Sequence, residues 1–122
     1  MSDQTTLQFA KSMAIIRIHR SVTLGGGDVE LVALVRYVVE RGATCILLDL
    51  AGVRCIDAAG IGVLVACHNF AASRGIPVRL VAPCRQVRQF FLLTKLHLVF
   101  DIFAHVGQAL STLASPIDHS AA

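Results

Sequence analysis

Serine, histidine, cysteine and carboxylate side chains all occur in this 122-residue chain, so their spacing decides whether any can act together. The five histidines, His19, His68, His97, His105 and His119, are scattered. The chain contains no G-x-S-x-G nucleophile elbow, no H-E-x-x-H pair and no G-x-x-x-x-G-K-[ST] phosphate loop. Cys45, Cys55, Cys67 and Cys84 form no C-x-x-C and have no histidine at ligand spacing. Cys45, Cys67 and Cys84 lie among aliphatic residues, where a thiol behaves as a small hydrophobe. Reduced structural thiols are expected, with no disulfide framework, no metal, no cofactor and no catalytic residue. Residues 24–30, LGGGDVE, place Gly25, Gly26 and Gly27 just ahead of a helix start, one requirement of a phosphate cradle. The lysine and the spacing of such a cradle are missing, so a flexible turn before a capped helix is the plainer reading. A nucleotide-binding module stays as a third, weaker function class. His68 falls on the inner or flanking side of a helix and reads as a hydrogen-bonded packing residue, not a general base.

The elements that would position these residues follow from periodicity. Residues 7–9 and 13–18 read as a hairpin with its turn at 10–12. A helix is expected from Asp28, as its cap, to about Arg41, with Leu31, Leu34, Val35 and Val38 at i, i+3, i+4, i+7. Val29, Val32, Tyr37 and Val39 make its flanks unusually apolar and point to contact beyond its own sheet. Gly42 ends it. Residues 44–50, TCILLDL, read as a central parallel strand buried on both faces. Asp57 can cap a second helix over 58–74, with Ile61, Leu64, Val65 and His68 as its inner stripe, and Gly75 stops it. A strand at 78–81, a helix at 84–94 after Pro83, a short strand at 99–102 and a helix at 106–113 complete the order. That order predicts an α/β fold: a mixed sheet of about four to five strands with about four helices, mainly on one face. The expected division is a loose segment 1–5, one domain over 6–114 and a tail 115–122.

Composition narrows the function classes. Apolar residues make up 55% and charged residues 16%, so the core is generous or some apolar surface is kept for a partner. The longest apolar run, 58–67, is 10 residues and contains two glycines, about half of what a membrane span needs. The first residues are polar and lack a secretory layout, so cytoplasmic residence without membrane insertion is expected. The net charge is +3, and between Arg74 and Phe100 five cations occur with no acid. A nucleic-acid footprint would show more basic residues interleaved with stacking aromatics, so no nucleic-acid partner is expected.

The most informative stretch is 46–65, ILLDLAGVRCIDAAGIGVLV. A buried strand closes on Asp49, a short turn follows, and Asp57 precedes a helix that opens Ala58-Ala59-Gly60. Gly60 and Gly62 lack side chains, so the first helical turn is expected to expose backbone N–H groups at the positive end of the helix dipole. These residues resemble the signature of the STAS domain, the family of anti-sigma factor antagonists. Leu48-Asp49-Leu50, Val53, Ile56-Asp57 and Gly60-Ile61-Gly62 match it in register, and 91–100, FLLTKLHLVF, looks like the family's closing motif. The likeness runs over about 7–113.

The resemblance implies a protein that binds other proteins and does not catalyse: partner switching against an anti-sigma factor or serine kinase-type protein, or a scaffold in signalling. In the family a serine or threonine in the first turn of the second helix accepts phosphate and ejects the partner. That position corresponds to Ala59, preceded by Ala58, so the acceptor is vacant. The alternative is a STAS subunit that binds the ATPase of an ABC-type lipid transporter. The expected partner surface combines Leu24, Gly25, Gly26, Gly27 and Asp28 with Asp57, Ala58, Ala59, Gly60, Ile61 and Gly62. It extends to the outer flank of the second helix around Leu64, His68 and Asn69. The sequence leaves a homodimer open.

Overall fold

Successive side chains of a strand point to opposite faces, so the continuous apolar run of 45–48 buries both faces of the central strand. The computed structural model describes residues 5–19 and 28–111. Strand β1 (Thr5–Ala10) pairs antiparallel with β2 (Met13–Ile18) through the turn at Lys11 and Ser12. Thr5 lies in this strand, inside the segment expected to be loose, and its hydroxyl donates to the Glu30 carboxylate. Strands β3 (Cys45–Asp49), β4 (Val78–Val81) and β5 (Asp101–Phe103) then add in parallel, giving the order β1-β2-β3-β4-β5.

Helices α1 (Asp28–Glu40), α2 (Ala58–Ala72) and α3 (Arg85–Leu93) make the three crossovers. Each new parallel strand is laid on the same side of the last one. Right-handed crossovers in a sheet that never reverses direction all fall on one face. The sheet therefore has no point where strand order switches, the place where doubly wound sheets open a ligand crevice. The helical face holds the larger core: Ile16, Ile46, Leu48, Leu80 and Ile102 from the sheet against Leu31, Val35, Leu64, Cys67, Val87 and Phe91. The alternate strand residues, Ile15, Cys45, Leu47, Val81 and Phe103, face the opposite side. There they meet Ala109 of α4 (Val106–Leu110).

Both long helices stop where the chain needs a left-handed residue. Gly42 has φ +84° and Gly75 φ +72°, values that cost other residues strain. The following amides close the helix ends, Ala43 N–H on the Val38 carbonyl and Ile76 N–H on the Ala71 carbonyl. Three details depart from expectation. A 3-10 turn, Leu96–Leu98, precedes β5, which starts two residues later than the sequence pattern placed it. Helix α4 ends at Leu110. The inner stripe of α2 is Gly60, Leu64, Cys67 and Ala71, while Ile61, Val65 and His68 sit on its flanks, half-buried. The helix is apolar nearly all round, so its own pattern could not choose the face. The apolar flank of α1 has an internal use: Val32 and Val39 pack on the main core, and α1 lies beside α2.

Candidate functional site

The loop between β3 and α2 is anchored at both ends by aspartates. Asp49 closes β3; one carboxylate oxygen pairs with Arg17 of β2 at 3.3 Å and the other accepts the Ala51 N–H at 3.0 Å. Gly52 passes so close to the end of β2 that a Cβ there would stand 2.9 Å from the Ile18 carbonyl oxygen. Sequence reasoning read Gly52 only as part of a turn; its close approach depends on where β2 ends and leaves no local signal. Val53 and Ile56 are buried and pin the loop to the core.

Asp57 is exposed and extended, with φ −102° and ψ −176°, and it caps α2 as the sequence predicts. Its Oδ1 accepts the Gly60 N–H at 2.8 Å and its carbonyl accepts the Ile61 N–H at 2.9 Å. One of the helix's first amides is thereby satisfied by a side chain, and the cap holds a negative charge at the positive end of the dipole. Ala58 is exposed and Ala59 half-buried, so the surface of this first turn is methyl groups and backbone. Gly60 is buried, against the expectation that it is exposed; the open backbone is at Gly62, where a Cβ would meet nothing within 4 Å.

The predicted surface is thus assembled in part. Asp57, Ala58, Ala59, Ile61 and Gly62 come together at the start of α2, with Gly60 beneath them. Leu64 is fully buried and belongs to the core, not to an outer flank. His68 is three turns along α2, about 16 Å from Asp57 at 1.5 Å per residue. Its ring packs edge-on to Phe100 with centroids 5.2 Å apart, and its buried Nδ1 has no hydrogen-bond partner among the described residues. Aromatic packing, not the expected hydrogen bond at that nitrogen, holds the ring. Leu24, Gly25, Gly26 and Gly27 lie outside the described residues, as does the side chain of Asp28, whose backbone opens α1.

Beside the α2 start, Arg54, Cys55 and Ile56 face Gln86, Val87 and Phe90 of α3 across a groove of about 210 Å³. That is below the roughly 300–1,000 Å³ of a small-molecule site. Sequence reasoning did not place α3 here; both helices start at the carboxyl edge of neighbouring strands, which only the topology reveals. The four cysteines are free, with Cys55 exposed. Burial pushes the Cys67 thiol up from its ordinary 9.0 to about 12. Burial raises Cys45 as well, opposed chiefly by the charge of Arg79. Among the described residues no three His, Cys, Asp or Glu side chains form a metal-binding group. No described helix is long and apolar enough to cross a membrane. Chemically, the arrangement offers a capped helix end and small apolar contacts.

The fold has clear counterparts among solved structures. A candidate anti-sigma factor antagonist from Thermotoga maritima superposes with a TM-score of 0.80 at 21% identity, covering 88% of this chain and 92% of that one. An anti-sigma factor antagonist from Mycobacterium paratuberculosis gives 0.68 at 19% identity, covering 87% and 89%. A sulfate transporter family protein from Wolinella succinogenes gives 0.67 at 15% identity, covering 82% and 83%. A search of curated proteins gives no match. The STAS domain model matches residues 15–109, which contain β3, β4 and β5, most of β2 and the whole loop from Asp49 to Gly62. With that match over most of its length, the chain belongs to the STAS domain family.

Proposed function

We propose that this protein is a non-catalytic docking module of the anti-sigma factor antagonist kind, working in bacterial transcription control in the cytoplasm. Its partner in this reading is an anti-sigma factor of the serine kinase type, bound at the Asp57-capped start of α2. The observation that carries the reading is the chemistry of that helix start. Asp57 secures the first turn, and Ala58 and Ala59 present a small surface with no hydroxyl. A partner can seat closely against such a turn without burying unpaired polar groups. With Ala59 at the acceptor position, phosphate cannot eject the partner there, so binding is constitutive or the module acts as a scaffold. The second reading is a subunit that docks on the ATPase of an ABC-type lipid transporter.

Capture of partners from the native host separates these readings: a kinase-like anti-sigma factor supports the first, a transporter ATPase the second. Ala59→Asp then tests the surface itself. A carboxylate at a helix start is tolerated, worth about 0.3–1 kcal/mol in its favour, so the fold should survive. Burying that unpaired charge against a partner costs several kcal/mol, so capture should be lost. Undiminished capture by Ala59→Asp, with circular dichroism unchanged, would place the interface elsewhere. Ala59→Ser should bind like wild type until a cognate kinase and ATP are added.

A further inference from the structure

Strands β2 to β5 run in parallel and α1, α2 and α3 each cross back over them, so the three helices finish together, at the end opposite Asp57. The β1–β2 turn lies at this same end, where the Ser12 carbonyl accepts the Thr44 N–H. Exposed aliphatic side chains collect there: Leu93 is 81% exposed, Leu98 67%, and Val99 and Leu92 nearly half. A folded domain gains nothing by showing water so many neighbouring aliphatic groups.

Cations share this end of the domain. Lys11 comes from the β1–β2 turn, Arg41 follows α1, Arg74 follows α2 and Lys95 follows α3, and all four are exposed. Among the described residues none of the four makes an ion pair. The carboxylates of this end are Glu40 and Asp101, leaving it net positive. Two of the cations occupy costly backbone. Lys11 has φ +58° and Lys95 φ +60°, left-handed positions where glycine is the usual residue.

We propose that this end of the domain rests on an anionic lipid surface, with Leu93 and Leu98 entering the apolar boundary and the four cations meeting headgroup phosphates. The charge is complementary to such a surface, and a row of separate turns along one edge of the sheet suits a broad plane. A helical partner would need a groove for its apolar face. Leu92, Leu93, Leu98 and Val99 line none of the three described grooves, although Lys11 borders the one beside the hairpin. The leucines project instead, which fits a deformable apolar phase. Contact of this kind requires no spanning helix and leaves the start of α2 open.

Co-sedimentation with vesicles of phosphatidylglycerol and phosphatidylcholine tests the proposal, with pure phosphatidylcholine as control. Wild type should partition to the anionic vesicles only, and salt should release it. Lys95→Gly should lower the partition about fivefold, as loss of one juxtamembrane cation does. Its thermal midpoint should hold or rise, because the left-handed strain is relieved, so misfolding cannot mimic the result. Leu93→Ser with Leu98→Ser should lower the partition more than tenfold with the fold intact. Equal binding to neutral vesicles, no binding to anionic ones, or an unchanged partition for Lys95→Gly overturns it. So does capture through Leu93 and Leu98 of an acidic protein with no vesicle binding. Partner capture through Asp57 and Ala59 is unaffected by these variants, so the two proposals fail separately.

Discussion

The two faces of the sheet are built from the same strands yet packed very differently. The face under α1, α2 and α3 takes Ile16, Leu48, Leu80 and Ile102 into a broad core closed by three helices. The other face takes Ile15, Leu47, Val81 and Phe103 under the five residues of α4, steadied by Arg79. The Arg79 guanidinium donates to the Ala109 carbonyl at 2.8 Å and lies 5.8 Å from the Phe103 ring centroid. A cysteine reports on each side. Cys67, in the broad core, is shifted by burial alone, whereas at Cys45 the nearby Arg79 charge works against burial. The buried cluster of one face is apolar throughout and the other keeps a charge beside its apolar cluster, although Leu47 and Leu48 are both fully buried.

Truncating these neighbouring leucines should give the largest effect and the sharpest contrast. Leu48→Ala should cost about 4 kcal/mol, toward the top of the range for buried leucines, because three helices cannot all close on the cavity. Leu47→Ala should cost about 2 kcal/mol, since one short helix can settle inward. Urea unfolding of both variants measures this, and equal losses would erase the difference between the faces.

Alkaline titration probes the thiols. The Cys67 thiol stays protonated when folded up to about 12 but ionises near 9.0 when unfolded. Below 9.0 both states hold the proton and its contribution is fully present. Between 9.0 and about 12 the unfolded state binds fewer protons, so stability falls as pH rises, by up to about 1.4 kcal/mol per pH unit. Cys67→Ala should flatten the pH dependence of unfolding in this window. Alkylation of the native protein should reach exposed Cys55 first and Cys67 last.

The smallest effect is expected at the helix start. Asp57→Ala removes the side-chain acceptor of the Gly60 N–H and should cost about 1 kcal/mol, read from the thermal midpoint. Cys84, the residue before α3, makes no side-chain cap, so Cys84→Ala should change the midpoint far less.

Local chemistry was legible in the chain before any tertiary information. Asp57 before an apolar run announced a helix start, and Gly42 and Gly75 announced helix ends, because caps and left-handed stops depend only on neighbouring residues. The apolar run of β3 marked a strand whose two faces both had to be covered. The motif from Asp49 to Gly62 marked the loop that joins β3 to α2. Packing decided the rest. The side of α2 that meets the core could not be read from a helix with Ile61, Val63, Leu64 and Val65 in its first turns. It was chosen by fit, which turned Gly60, Leu64, Cys67 and Ala71 inward and left His68 against Phe100. The groove between Arg54 and Phe90, and the gathering of Lys11, Arg41, Arg74 and Lys95 at one end, join residues far apart in sequence. Only the parallel order of the strands and the common direction of the crossovers bring those residues together, because proximity between distant segments is a property of topology and not of any local pattern.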